Sequence, residues 1–132
     1  MELLIDFPGG AAVNAHFGAH TVATDQPAAA GGADAAPSPF ILFLASLGTC
    51  AGYYVLSFCR QRGISTERIR VLERIRRDPA SGMVGNIEME IQVPPDFPAQ
   101  YHAALVRAAE QCTVKKHLET PPRISTVTRV VG

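Results

Sequence analysis

Three cysteines, Cys50, Cys59 and Cys112, are the residues of this chain best suited to chemistry, because an ionised thiol is both a nucleophile and a redox centre. Cys50 and Cys59 are nine positions apart in one apolar run. At about 100° per residue that spacing puts them on opposite sides of one helix, where they cannot bridge within a chain. Cys59, between Phe58 and Arg60, reads as a small buried hydrophobe. Cys50 shares its side of the helix with Ser46, Tyr53, Tyr54 and Ser57. That semi-polar face suits the floor of a pocket, although buried cysteine is also ordinary. A mid-helix thiolate gets no help from the helix dipole, so it needs a cation or hydrogen bonds from elsewhere. Cys112 is expected to cap a short helix whose first N–H groups face its sulfur, with Lys115 and Lys116 just beyond. Each of these lowers a thiol pKa, so Cys112 is expected to be the more readily ionised, the alternative being a cysteine that fills a gap at a helix end.

Other chemistries find less support. His102 and His117 are fifteen apart, Cys112 and His117 five apart, and neither C-x-x-C nor H-E-x-x-H occurs, so no zinc site is expected. There is no G-x-S-x-G, no phosphate-cradling glycine loop and no dinucleotide fingerprint, and no cofactor is expected. His16 and His20 could supply a cation from the N-terminal strands, but a lone strand histidine is commonly structural. Twelve basic residues balance twelve acidic ones, which argues against a nucleic-acid partner. Met1 to Asp6 lack the basic and apolar pattern of a secretory signal, so a cytoplasmic protein is expected, in a compartment that keeps an odd number of thiols reduced.

The elements that must position these thiols can be read from the pattern. Leu3 to Phe7, Ala12 to Phe17 and His20 to Ala23 suggest a three-strand meander, with Pro8-Gly9-Gly10 and Gly18 as turns. Residues 25–38, rich in Ala, Gly, Pro and Asp, read as a mobile loop. A helix is expected from Pro39, capped by Ser38, to Arg62, stopped by Gly63. Its uncharged stretch, Phe40 to Cys59, is long enough to cross a bilayer. The next two runs decide against that. Ile69, Val71 and Ile75 alternate with arginines, and Ile87, Met89, Ile91 and Val93 with acidic or amide residues, giving a hairpin with one dry face that needs a helix as cover. Glu73 interrupts that dry face. A helix from Pro98 to about Gln111, a short one from Cys112 to Leu118 and a final strand from Ile124 to Val131 complete an α+β fold, ordered β-β-β-α-β-β-α-α-β, in a single domain of residues 1–132 whose 47% hydrophobic content is enough for a core.

The run Pro37-Ser38-Pro39-Phe40-Ile41-Leu42-Phe43-Leu44-Ala45-Ser46-Leu47-Gly48-Thr49-Cys50 resembles the segment of OsmC/Ohr proteins that leads into their reactive cysteine, and Glu110-Gln111-Cys112-Thr113-Val114 is similar to the segment holding their second one. The resemblance runs from about Ala36 to the C-terminus and implies an intertwined homodimer with sites at the subunit interface. It also implies that Cys50 attacks a hydroperoxide and that Cys112 resolves the resulting sulfenic acid to a disulfide, reopened by a thiol or dithiol reductant. The family's peroxidases add an arginine from the N-terminal strands and a glutamate about ten residues before the first cysteine. Here no arginine precedes Arg60, and Phe40 or Ile41 stands at the glutamate position. A non-catalytic member of the family, binding a small molecule or sensing redox state, is the alternative.

Overall fold

The computed structural model describes residues 1–132. The chain forms two compact units, Met1–Ser46 and Leu47–Gly132, and the long helix begins in the first and continues in the second. The first unit holds strands β1 (Leu4–Gly9), β2 (Ala12–Phe17) and β3 (His20–Thr24), an antiparallel meander in the order β1-β2-β3. Its register pairs Ile5 with Ala15 and Ala15 with Val22. Leu4, Ile5 and Phe7 of β1 are exposed.

The segment expected to be a mobile loop is instead organised by one carboxylate. Asp25, only 3% exposed, accepts hydrogen bonds from the N–H groups of Gln26, Ala33 and Ala35 at 2.8, 3.2 and 3.1 Å, while its own N–H donates to the Pro37 carbonyl. These donors hold its pKa below the usual carboxylate value, the Gln26 bond contributing most. Composition missed this order because one acidic side chain satisfies backbone that has no apolar partner of its own.

Helix α1 spans Pro39–Gln61. Ser38 Oγ accepts from the Ile41 N–H at 3.4 Å, as a capping serine should. At the other end Gly63 takes φ +65°, and bonds from Gly63 to Arg60 and from Ile64 to Cys59 close the last turn. The helix is long and apolar enough to cross a membrane. In the second unit, however, its Val55, Phe58 and Cys59 form a buried cluster with Ile69, Phe97 and Leu105. Cys59 is fully buried, as the sequence suggested, and burial pushes its thiol pKa up.

Strands β4 (Arg70–Arg77) and β5 (Val84–Gln92) form the expected hairpin, pairing Val71 with Ile91, Glu73 with Met89 and Ile75 with Ile87. On the wet face Arg74 reaches Glu88 at 3.1 Å and Glu90 at 2.8 Å. After a 3₁₀ turn at Ala99–Tyr101 come α2 (His102–Ala109) and α3 (Thr113–Glu119). The expected final strand is absent. Residues 121–132 form no ladder, and Ile124, Val127, Val130 and Val131 are exposed. Pro121 and Pro122 supply no N–H, and neither sheet of the chain takes residues 123–132 as an added strand.

Glu73 is the misfit of the dry face. Its Oε1 is buried without a hydrogen-bond partner, and its Oε2 lies where a side chain at position 48 would stand, 2.5 Å from the place of a Cβ on Gly48. Burial raises its pKa, opposed by a hydrogen bond from the Gly48 backbone. A carboxyl whose pKa is raised by folding stabilises fully below its unfolded value of about 4.3 and loses that contribution as pH rises through the folded value. The urea midpoint of the wild type should therefore carry a downward component between pH 4 and 8 that Glu73→Gln lacks; identical pH profiles would contradict this.

Candidate active site

Cys50 projects from the semi-polar side of α1, half-buried. Cys112 precedes α3 as its cap and is 2% exposed. Its Sγ accepts the Lys115 N–H at 3.4 Å and faces the Leu47 carbonyl of α1 at 3.8 Å, a distance at which the thiol hydrogen can be donated to that oxygen. The cap expected of Cys112 thus forms, and its contact with Leu47 binds the start of α3 to the helix that carries Cys50. The two thiols, far apart in sequence, lie within hydrogen-bonding reach of each other, and all three cysteines are free.

The acidity order is the reverse of the one expected. Cys50, not Cys112, is the thiol pulled below its ordinary pKa, chiefly by a hydrogen bond from the Val114 backbone, helped by the Cys112 thiol and by the backbone and hydroxyl of Thr113, and opposed by partial burial. Cys112 is pushed up, first by burial and then by its contact with Cys50, although the Lys115 and Val114 N–H groups act the other way. The reason is aim. The N–H groups of Thr113 and Val114 also reach the neighbouring sulfur, so the first turn of α3 serves both thiols and not Cys112 alone. Once Cys50 holds a charge, the adjacent Cys112 keeps its proton.

Two further partners were not singled out for this role. Tyr54, one turn beyond Cys50, places its phenol oxygen 3.3 Å from Thr113 Oγ1. The signal for Tyr54 was present, since it shares the face of Cys50; for Thr113 the only hint was a hydroxyl residue directly after the cap. His16 is engaged within its own sheet, with Nε2 3.0 Å from Asp6 Oδ2 and Nδ1 3.0 Å from Thr21 Oγ1. His20 lies against the Phe17 ring, their centroids 5.7 Å apart.

Beside Cys112, in the second unit, is a cavity of about 430 Å³. Val71, Met89 and Ile91 of the hairpin, Val106 of α2 and Leu118 of α3 give it an apolar lining, with Glu110 and Lys115 as its charged members.

A family model described as OsmC-like protein matches residues 31–127. The chain belongs to the OsmC-like family. Solved structures show the same fold. A protein of Psychrobacter arcticus, described as an osmotic stress induced and detoxification response protein, superposes with a TM-score of 0.72 at 18% identity over 86% of this chain and 85% of its own. An OsmC-like protein of unknown function from Vibrio cholerae gives 0.63 at 12% identity, covering 89% and 92%. The organic hydroperoxide resistance protein OhrB of Bacillus subtilis gives 0.51 at 22%, covering 89% and 90%. No curated protein matched the chain. Within this OsmC-like chain the thiols should separate by reactivity. Iodoacetamide at pH 7 should label Cys50 first, Cys112 at least roughly tenfold more slowly because it is buried and protonated, and Cys59 only on unfolding, as read by peptide mass spectrometry.

Proposed function

We propose that this OsmC-like protein reduces organic hydroperoxides with a thiol or dithiol as reductant, Cys50 being the attacking thiolate and Cys112 the resolving thiol. The observation that carries the reading is the pairing of a thiol whose pKa is lowered with one whose pKa is raised, within contact. Structural relatives described as hydroperoxide resistance proteins support it.

The Cys50 thiolate attacks the distal oxygen of the hydroperoxide. The O–O bond breaks, sulfur is oxidised to sulfenic acid, and the departing alkoxide takes up a proton and leaves as an alcohol. The Cys112 sulfur then displaces the sulfenic hydroxyl, which departs as water with the Cys112 proton, leaving a Cys50–Cys112 disulfide. An external dithiol reduces that bond by exchange and leaves oxidised. The groups that lower the Cys50 pKa are hydrogen-bond donors, the Val114 backbone first, in a chain with neither arginine nor lysine before Arg60.

The homodimer and the cytoplasmic setting belong to the same proposal. Exposed apolar residues on β1 and in residues 124–131 support a second copy as the partner, with strand edges to pair. A second reading, ligand binding without turnover, is favoured by the apolar cavity beside Cys112.

Consumption of cumene hydroperoxide with dithiothreitol should fall to the uncatalysed rate in Cys50→Ser. Cys112→Ser should accumulate a sulfenic acid trapped by dimedone. Equal slow rates in wild type and both variants would leave ligand binding as the function. Sedimentation of the reduced protein should give the mass of two chains, and a single-chain mass would remove the dimer from the proposal.

A further inference from the structure

Tyr54 comes one helical turn after Cys50, on the same side of α1. Its phenol oxygen is 3.3 Å from Thr113 Oγ1, and the Thr113 hydroxyl is also a hydrogen-bond partner of the Cys50 sulfur. Thr113 therefore stands between the phenol and the thiol. Its hydroxyl has a single hydrogen and can donate once while accepting from another group. Ionised Cys50 can only accept. A threonine donating to Tyr54 would turn a lone pair toward the sulfur and leave the phenol hydrogen unused. Only one direction satisfies all three groups: the Tyr54 O–H donates to Thr113 Oγ1, and the Thr113 O–H donates to the sulfur. An O–H that accepts a hydrogen bond is polarised and donates more strongly, so the phenol strengthens the second contact.

We propose that Thr113 is a positioning residue for Cys50, its hydroxyl oriented by Tyr54 so that its one hydrogen is held on the sulfur. This deepens the peroxidase reading, because it names the neutral side chains that hold the attacking thiol in a chain without the family's arginine and glutamate. It also explains why Tyr54, a half-buried aromatic on an apolar helix, turns its polar end toward α3. Thr113 is exposed, and water competes for both contacts, so the effect is modest.

The test is the pH profile of Cys50 alkylation by iodoacetamide in the reduced full-length protein, located by peptide mass spectrometry and compared for wild type, Thr113→Val, Thr113→Ser and Tyr54→Phe. Loss of a charge-assisted donor should slow Thr113→Val about three- to tenfold at pH 7 and move its midpoint to higher pH. Thr113→Ser should stay within about twofold of wild type, and Tyr54→Phe should shift in the same direction as valine by less. A Thr113→Val profile that superimposes on wild type would overturn the proposal. So would a Thr113→Ser variant as slow as valine, which would mean that the methyl group matters and the hydroxyl does not. If Thr113→Val does not fold, Tyr54→Phe decides alone, an unshifted profile counting against the relay. Alkylation needs no peroxide, so a wild type that consumes no hydroperoxide while these shifts hold would remove the peroxidase reading and leave this one standing.

Discussion

Two sulfurs in contact resist carrying a negative charge together, and which one ionises first depends on where the first turn of α3 directs its N–H groups. Val114 and Thr113 donate to Cys50, while Lys115 closes on Cys112 as a cap. Because Cys112 is buried and Cys50 only partly so, desolvation adds to the same division. The result is a more acidic thiol on the long helix next to one that holds its proton more firmly. This division depends on the register between α1 and α3, which the contact of Cys112 with the Leu47 carbonyl and the Tyr54–Thr113 hydrogen bond hold in place. One cysteine thus serves three purposes: it caps a helix, joins two elements and stands beside the more acidic thiol.

Much of the frame was legible in the sequence because local signals are strong here. Ser38 and Gly63 bracket α1 as cap and stop, and the alternation of Ile87, Met89 and Ile91 gave the face of β5 and its pairing with β4. The meander was readable from short β runs between glycine turns. What the sequence concealed is long-range. Cys112 caps α3 as its position suggests, yet its acidity does not follow from that position, since the N–H groups of Thr113 and Val114 also serve a sulfur more than 60 residues away in sequence. Asp25 organises a stretch whose composition signals disorder, because three N–H groups on one carboxylate leave no trace in periodicity. The terminal strand failed for a related reason: apolar alternation gives a segment the capacity to pair but does not supply an edge.

The dry face of the hairpin links this frame to the site. Its apolar residues, with α2 and α3, enclose a cavity beside Cys112, while Glu73 interrupts the same face and is accommodated only because residue 48 has no side chain. A buried carboxyl with one oxygen unpartnered carries a stability cost, and it stands two residues along α1 from Cys50 at Gly48. Stability and reactivity therefore meet on the same turn of helix, on different sides of it.

The central claim is the order in which the two sulfurs ionise, and it can be measured directly by following the Cβ carbons of ¹³C-labelled cysteine by NMR as the reduced protein is titrated. The Cys50 signal should move first, below the range of an ordinary thiol, with Cys112 moving only well above it. A titration in which Cys112 moves first, or in which both move together at the ordinary value, would contradict the account.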